Sequence, residues 1–106
     1  MTRRHLTTYD ITKKADADLQ EIIRHTIERW GVKQARHYVG LLHAGCDSLA
    51  KGEGSPKHLI DIDQDLYIAR YEHHYILCLK RSDKRPRILA FFHEHMDIIT
   101  RIKNRL

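Results

Sequence analysis

The sequence predicts an α+β domain with the element order β-α-α-β-β-β and a short C-terminal helix. Two stretches with helical periodicity follow one another directly within residues 15–52. Residues 66–93 are rich in Tyr, Ile, Leu and Phe, and two polar breaks divide them into strand-sized pieces. One long polar connection, 51–66, separates these halves. We therefore expect a helical hairpin packed on an antiparallel sheet.

The chain has the size and composition of one globular domain. Its 106 residues are 42% hydrophobic and 31% charged, and we expect a single domain over residues 1–106. The longest apolar runs, "YILCL" at 75–79 and "ILAFF" at 88–92, are too short to cross a membrane. No apolar stretch follows the basic residues at the N-terminus, so we expect no secretion signal. These features predict a cytoplasmic protein with no membrane partner.

Local patterns predict the first strand and the first helix. The run "HLTTYDI" (5–11) is β-prone. In residues 15–31, apolar positions recur at helical spacing and indicate one buried face. These positions are Leu19, Ile22, Ile23, Thr26, Ile27 and Trp30. Gly31 follows them, where a left-handed C-cap is expected to end the helix.

A second helix is predicted over residues 32–52, where apolar positions again keep helical spacing. They are Ala35, Tyr38, Val39, Leu42, Cys46, Leu49 and Ala50. Because about two residues join the helices, they must fold back as an αα-hairpin. Gly45 lies on or near the apolar face, where it can allow close packing. Cys46 and Cys78 lie among apolar residues and are interpreted as buried free thiols.

The second half of the chain predicts three antiparallel strands and a terminal helix. The strands are placed near 66–71, 75–81 and 87–93. "EHH" (72–74) is a tight reversal, and the polar segment 81–87 is a loop. The tail 96–106 has the spacing of a short amphipathic helix. One helical hairpin covers only one face of such a sheet, so we expect the other face to be partly open.

The segment "FFHEHMD" places His93, Glu94, His95 and Asp97 close together. A zinc-binding helix of the H-E-x-x-H type needs its histidines on one helical face, whereas histidines two apart diverge on a helix. We therefore expect no metal site and no cofactor. Asp97 is interpreted as the residue that caps the terminal helix. Most of the nine histidines are expected to be solvated or half-buried, although one could still act as a general base.

The formal net charge of +5 is compatible with an acidic partner, either an acidic protein or a nucleic acid. Two basic clusters stand out. They are Lys80, Arg81, Lys84, Arg85 and Arg87 around the last loop, and Arg101, Lys103 and Arg105 at the C-terminus. Together they suggest an interaction surface. Charge alone also leaves open a nucleic-acid-binding regulator.

Several motifs together resemble the ParE branch of the RelE/ParE toxin superfamily. The segment "ILAFFHEHMD" is similar to a hallmark I-L-x-x-x-H-x-x-M-D, with Ile88, Leu89, His93, Met96 and Asp97. "RYEHHYI" is similar to R-x-x-x-H-x-I, with Arg70, His74 and Ile76. The first hairpin resembles the family pattern that includes Trp30 and Gly31. The resemblance covers residues 9–103, although His95 stands where the family often has Arg and the 51–66 connection is long and acidic.

The resemblance implies the toxin of a type II toxin–antitoxin pair, neutralised by a cognate antitoxin. Toxins of the ParE branch poison DNA gyrase and are not known for chemistry of their own. Oligomeric assembly would pass through the antitoxin, and DNA held by gyrase is a possible further contact. The alternative is a ribosome-dependent mRNA endoribonuclease of the RelE branch. Such an enzyme would draw on Arg70, Lys80 and His93.

Three groups of site residues follow as expectations. Arg70, Lys80 and Arg87 are expected to rim the open sheet face and to bind the antitoxin. The C-terminal segment is expected to contact the target through Ile99, Arg101, Ile102, Lys103 and Arg105. A structural group is expected in Trp30, Gly31, His74, His93, Met96 and Asp97. Within this group, His93 is expected to hydrogen-bond inside the junction before the terminal helix.

Overall fold

The computed structural model of the chain describes residues 8–106. Its elements are β1 (Asp10–Ile11), α1 (Lys13–Trp30), α2 (Val32–Ala50), β2 (Lys57–His58), β3 (Leu66–Tyr71), β4 (His74–Leu79), β5 (Arg87–His93) and α3 (Ile98–Arg105). The predicted α+β class and the predicted order of elements are confirmed, with β2 as an addition. Residues 5–7 of the predicted first strand lie outside the described residues. No helix in the described part is long and apolar enough to cross a membrane.

The strands form one sheet in the order β1-β5-β4-β3-β2. β3, β4 and β5 are the predicted antiparallel meander. The sheet as a whole is mixed, because β1 runs parallel to β5, with Asp10 opposite Arg87 and Ile11 opposite Ile88. The predicted antiparallel sheet is therefore confirmed for β3, β4 and β5, and the parallel pairing of β1 is an addition to it. A helical hairpin separates β1 from the other strands, so the tight turn that forces an antiparallel neighbour is not present.

Two details of the second half differ from the prediction. β2 lies inside the predicted connection and pairs with β3 as a two-residue edge strand. Such a short exposed strand has too few side chains to show a period in sequence. The reversal between β3 and β4 consists of Glu72 and His73 alone, since Tyr71 pairs with His74. Glu72 has a φ of 58°, the left-handed conformation that a two-residue hairpin turn requires.

The bounds of the helical hairpin are determined by its capping residues, and its distance from the sheet by a close contact at one glycine. The Thr12 hydroxyl accepts the Ala15 N–H at 3.1 Å and caps α1. Gly31 has a φ of 91°, which favours glycine, and it alone separates α1 from α2. A Cβ on Gly45 would lie 2.6 Å from the Tyr71 ring. Gly45 therefore lets α2 approach the sheet closely, as predicted.

The sheet has an apolar core on each face. The core under the helical hairpin includes Leu19, Leu42, Cys46, Leu49, Ile76, Cys78, Ile88 and Phe91. The core on the opposite face includes Leu59, Leu66, Ile68, Leu77, Ala90, Phe92 and Ile102. The second face is therefore covered by α3 and by the segment after β2, and the expectation of an open face was wrong. Both cysteines are buried and free, as predicted.

Candidate docking groove

A groove of about 850 Å³ lies between the tip of the helical hairpin and the turn that joins β3 to β4. We call it the histidine groove. It is bounded by residues of the segments 21–30, 34–41 and 72–74, together with His93 and Met96. Trp30, the last residue of α1, is 68% exposed on its wall, so its predicted place on the buried face of this helix was wrong. Within residues 8–106, no other element covers Trp30 at the tip of the hairpin. Exposed apolar surface of this kind is typical of interaction sites.

The floor of the histidine groove is held by Tyr38 and His74. The Tyr38 oxygen accepts the His73 backbone N–H at 3.1 Å and lies 2.7 Å from His74 Nδ1. The hydroxyl and the His74 ring therefore share a hydrogen bond, whose direction is set by the imidazole tautomer. Burial, reinforced by the neighbouring His93 and His73, lowers the pKa of His74 to about 4. His74 is a neutral, positioned imidazole at physiological pH.

Glu94 ties the turn between β3 and β4 to the end of β5. Its Oε2 lies 2.8 Å from His73 Nδ1, and its Oε1 lies 3.2 Å from Arg70 Nη1. The Glu94 backbone N–H also donates to the His73 carbonyl at 3.0 Å. The hydrogen bond from His73, aided by the charges of His73, Arg70 and His95, lowers the pKa of the Glu94 carboxyl. Arg70 is therefore already paired with a carboxylate of the same chain.

The junction before α3 is organised by His93 and Asp97. His93 Nδ1 accepts the His95 N–H at 3.2 Å, and its carbonyl accepts the Met96 N–H at 3.0 Å. The Asp97 carboxylate accepts from the backbone N–H and the hydroxyl of Thr100, which lowers its pKa. Asp97 is the cap of α3 that the sequence predicts. His93 has the internal hydrogen bond expected of it.

The structure does not bring Arg70, Lys80 and Arg87 together. Lys80 Nζ donates to the Leu49 carbonyl at 3.3 Å, at the far end of the β3–β4 pair from Arg70. Five residues of β-strand span roughly 16 Å. Arg87 begins β5 opposite Leu79 and thus lies at the Lys80 end of the sheet. Arg70 therefore lies apart from Lys80 and Arg87, and the predicted rim formed by all three cations is corrected in this respect.

The same separation applies to the predicted endoribonuclease set. Arg70 and His93 both lie near the turn between β3 and β4, but Lys80 does not. The set offers no single place where a general acid, a general base and a cation could act on one phosphate. Among residues 8–106, no group of three His, Cys, Asp or Glu side chains is arranged to hold a metal ion.

The C-terminal helix is part of the fold as well as part of the surface. Ile102 is 1% exposed in the second core, which corrects its predicted role in binding a target. Arg105 pairs with Asp18 and donates to the Leu89 carbonyl at 2.8 Å. Ile99 is 54% exposed. The exposed members of the predicted target-binding set are Ile99, Arg101 and Lys103.

Acids that the sequence interpretation left aside face several of the predicted basic residues. Arg81 pairs with Asp65 at 2.7 Å and lies 3.7 Å from Asp63, both in the 51–66 connection. Arg85 pairs with Asp10 at 3.4 Å. The cluster around the last loop is thus partly neutralised, which weakens the interpretation based on charge alone.

A helical hairpin laid on a five-stranded mixed sheet, with an open groove at the hairpin tip, defines a small α+β domain of the RelE/ParE type. Residues 9–98 match the family model described as the ParE toxin of the type II toxin–antitoxin system parDE. The chain therefore belongs to the ParE toxin family, and it is the toxin component of a type II toxin–antitoxin system.

One similar protein supports this assignment, and a second supports the fold. Toxin ParE of Escherichia coli is 43% identical over 101 residues, which cover 95% of this chain and 98% of that protein. A chain of the solved structure titled "Chromosomal ParDE TA system from P. aeruginosa" superposes with a TM-score of 0.67. That alignment covers 85% of this chain and 98% of the other at 19% identity, and it concerns the fold.

The sequence interpretation missed the histidine groove. The signal was present in part, because Glu21, His25 and Arg29 follow one another at intervals of four residues on α1. That spacing places them on one helical face. The positions of His37, His73 and His93 beside this face depend on the packing of three distant segments. Local patterns do not specify that packing.

Proposed function

We propose that this toxin poisons DNA gyrase by binding it, without catalysing a reaction, and that its cognate antitoxin neutralises it by occupying the histidine groove. The observation that carries the docking proposal is the exposed apolar wall of that groove. Both faces of the sheet are covered, whereas Trp30 is 68% exposed and Met96 40%. An amphipathic helix or strand of the antitoxin could bury both side chains in one contact.

Membership of the ParE family supports gyrase as the target, and the arrangement of the polar residues supports a non-enzymatic mechanism. A ribonuclease needs a base, an acid and a cation in reach of one phosphate. Here Arg70 is paired with Glu94, and Lys80 contacts the end of α2 at the far end of the sheet. Neither residue is placed to assist His93.

The exposed residues of α3 remain the proposed contact with the target. Ile99, Arg101 and Lys103 present one apolar and two cationic side chains on the outside of the helix. Such a surface fits an acidic region of gyrase, or the phosphates of the DNA that gyrase holds. Ile102 and Arg105 would act indirectly by holding the helix in place.

The test compares purified toxin in two assays, gyrase supercoiling and translation on ribosomes. We expect loss of supercoiling and accumulation of gyrase-linked DNA breaks, with mRNA intact. The double variant Arg101→Ala/Lys103→Ala should lose most of the gyrase effect while keeping wild-type stability. A matched control, Lys33→Ala/Arg36→Ala, removes two exposed cations from α2. Codon-specific mRNA cleavage that depends on His93, with gyrase unaffected, would establish the endoribonuclease instead.

A further inference from the structure

Five histidines surround the histidine groove. They are His25, His37, His73, His74 and His93. Imidazole is the ordinary side chain whose charge changes between pH 5 and 8. The fixed charges on the lining are one arginine, Arg29, and two glutamates, Glu21 and Glu72, and Glu21 is ion-paired with Arg24 on the same helix. With neutral imidazoles the groove therefore carries little net charge, and it becomes positive when histidines are protonated.

The two helices contribute the histidines that are open to solvent. On α1, His25 lies between Glu21 and Arg29, one turn from each. On α2, His37 is exposed and precedes Tyr38, whose hydroxyl is turned to the sheet. Within residues 8–106, His25 and His37 form no hydrogen bond or ion pair through their side chains. Both rings can meet the side chains of an incoming segment.

The strands contribute the other three histidines, which differ in their exposure and in their contacts. His73 is exposed and faces Glu94, which also meets Arg70 and, at 4.0 Å, His95. His74 is held neutral by burial, with its pKa lowered to about 4. The His93 ring lies between those of His74 and His95, with centroids 5.3 Å and 5.0 Å away. The exposed histidines of the groove are therefore His25, His37 and His73.

We infer that binding of the antitoxin to the histidine groove is linked to proton uptake by His25, His37 and His73. This inference rests on the proposed docking of the antitoxin in the groove. The toxin has a formal charge of +5, which complements an acidic partner. Carboxylates brought against a lining with little net charge gain a favourable charge interaction there when the imidazoles take up protons. Bound carboxylates in turn stabilise the imidazolium form.

The sign of the effect follows from linkage. If the complex holds more protons than the separated proteins, binding weakens as the pH rises. Each proton taken up corresponds to about a tenfold change in affinity per pH unit over the range where uptake is complete. The toxin would then be released more readily in an alkaline medium and held more firmly in a mildly acidic one.

The test is calorimetric titration of the toxin with its full-length cognate antitoxin, recovered from the co-expressed complex. Titrations at pH 6.0 and pH 8.0, each in two buffers of different ionisation enthalpy, give the affinity and the number of protons exchanged. We expect uptake of about one proton or more and at least about tenfold tighter binding at pH 6.0. The double variant His25→Gln/His37→Gln should lose most of this pH dependence. His58→Gln, on β2 outside the groove, should keep it.

Histidine NMR signals give a second measurement that does not depend on the variants. The titration midpoints of His25 and His37 should move to higher pH in the complex. Tight binding without proton exchange, or a double variant with the wild-type pH dependence, would overturn the inference and leave groove docking intact. Binding unaffected by mutation of the apolar groove wall would instead overturn the proposed docking site, and with it this inference.

Discussion

Asp18 and Arg105, which are 87 residues apart in the chain, form a two-pronged ion pair, with Nη1 to Oδ2 at 2.7 Å and Nη2 to Oδ1 at 3.1 Å. The pair also closes the outer edge of β5. Asp18 accepts the Phe91 N–H at 3.0 Å, and Arg105 donates to the Leu89 carbonyl at 2.8 Å. Beyond the two residues of β1, side chains thus satisfy this part of the strand edge.

We expect Asp18→Ala to lower the free energy of unfolding by about 1–3 kcal/mol, because it leaves the guanidinium and the Phe91 N–H without their partner. Both side chains are about one-fifth exposed, so solvent reduces the effect below that of a fully buried pair. The measurement is urea unfolding of Asp18→Ala, Arg105→Ala and the double variant. A coupling energy near zero in this cycle would show that the two residues act independently.

Two of the three isoleucines of α3, Ile99 and Ile102, should differ sharply in their effect on stability when each is changed to alanine. Ile102→Ala should cost about 2–4 kcal/mol, since the side chain fills the second core beside Phe92. Ile99→Ala should cost less than about 0.5 kcal/mol, because Ile99 is half exposed. Removal of α3 should therefore unfold or aggregate the protein. Cooperative unfolding of a chain ending at residue 98, with near wild-type stability, would contradict this.

Two glycines of α2 provide a matched pair. Gly45→Ala should destabilise by about 1–3 kcal/mol despite the better helix propensity of alanine, because its Cβ would lie 2.6 Å from the Tyr71 ring. Gly40→Ala should stabilise by about 0.5–1 kcal/mol, since no atom lies within 4 Å of its added Cβ. Thermal or urea unfolding measures both changes. Equal effects of the two substitutions would exclude a close contact at Gly45.

Trp30→Ala should weaken antitoxin binding by about thirtyfold or more and leave stability almost unchanged. The ring is a large exposed anchor on the groove wall, and buried tryptophans dominate many interfaces. Val32→Ala is the control, because Val32 is 57% exposed and lies outside the groove lining. Equal affinities for the Trp30 variant and the wild type, measured by calorimetry, would place the antitoxin elsewhere. Hydrogen exchange should show matching protection at 22–41 and 72–74.

Stability should fall as the pH is lowered from about 6.5 to about 4. The folded state holds the pKa of His74 at about 4, below the ordinary value of 6.5. The unfolded chain therefore binds more protons in this window, and the free energy of unfolding rises with pH. The contribution of His74 is present above pH 6.5 and is lost as the pH falls through 4. After discounting for partial exposure, it is about 1–3 kcal/mol.

Urea unfolding of the wild type and of His74→Gln at several pH values between 4 and 7 measures this contribution. Glutamine can still accept the Tyr38 hydroxyl but does not titrate. We expect a smaller loss of stability on acidification in the variant. Burial also lowers the pKa of His43, so some dependence should persist. Identical pH profiles for wild type and variant would show that His74 is not the group responsible.

The sequence by itself determined the local elements and the family. Helical spacing specified both long helices, because buried positions at intervals of three and four residues reveal one face directly. Their content of Tyr, Ile, Leu and Phe, divided by polar breaks, specified β3, β4 and β5 only as extended segments. Since "YILCL" at 75–79 is apolar throughout, it gave no sign of which face was covered. A strand apolar on both sides indicates burial on both faces, and that signal was present but unused.

Tertiary structure decided what depends on distant pairing. Ile76 and Cys78 point to the helical hairpin, whereas Leu77 points to the core beneath α3. The second face is therefore covered in part by α3, which is the last element of the chain. Asp18 meets Arg105 only because α1 and α3 flank the same strand. The histidine groove gathers side chains from both long helices, from the turn between β3 and β4 and from the end of β5. Periodicity in the local sequence does not predict these contacts, because they depend on how the apolar faces of separate elements pack together.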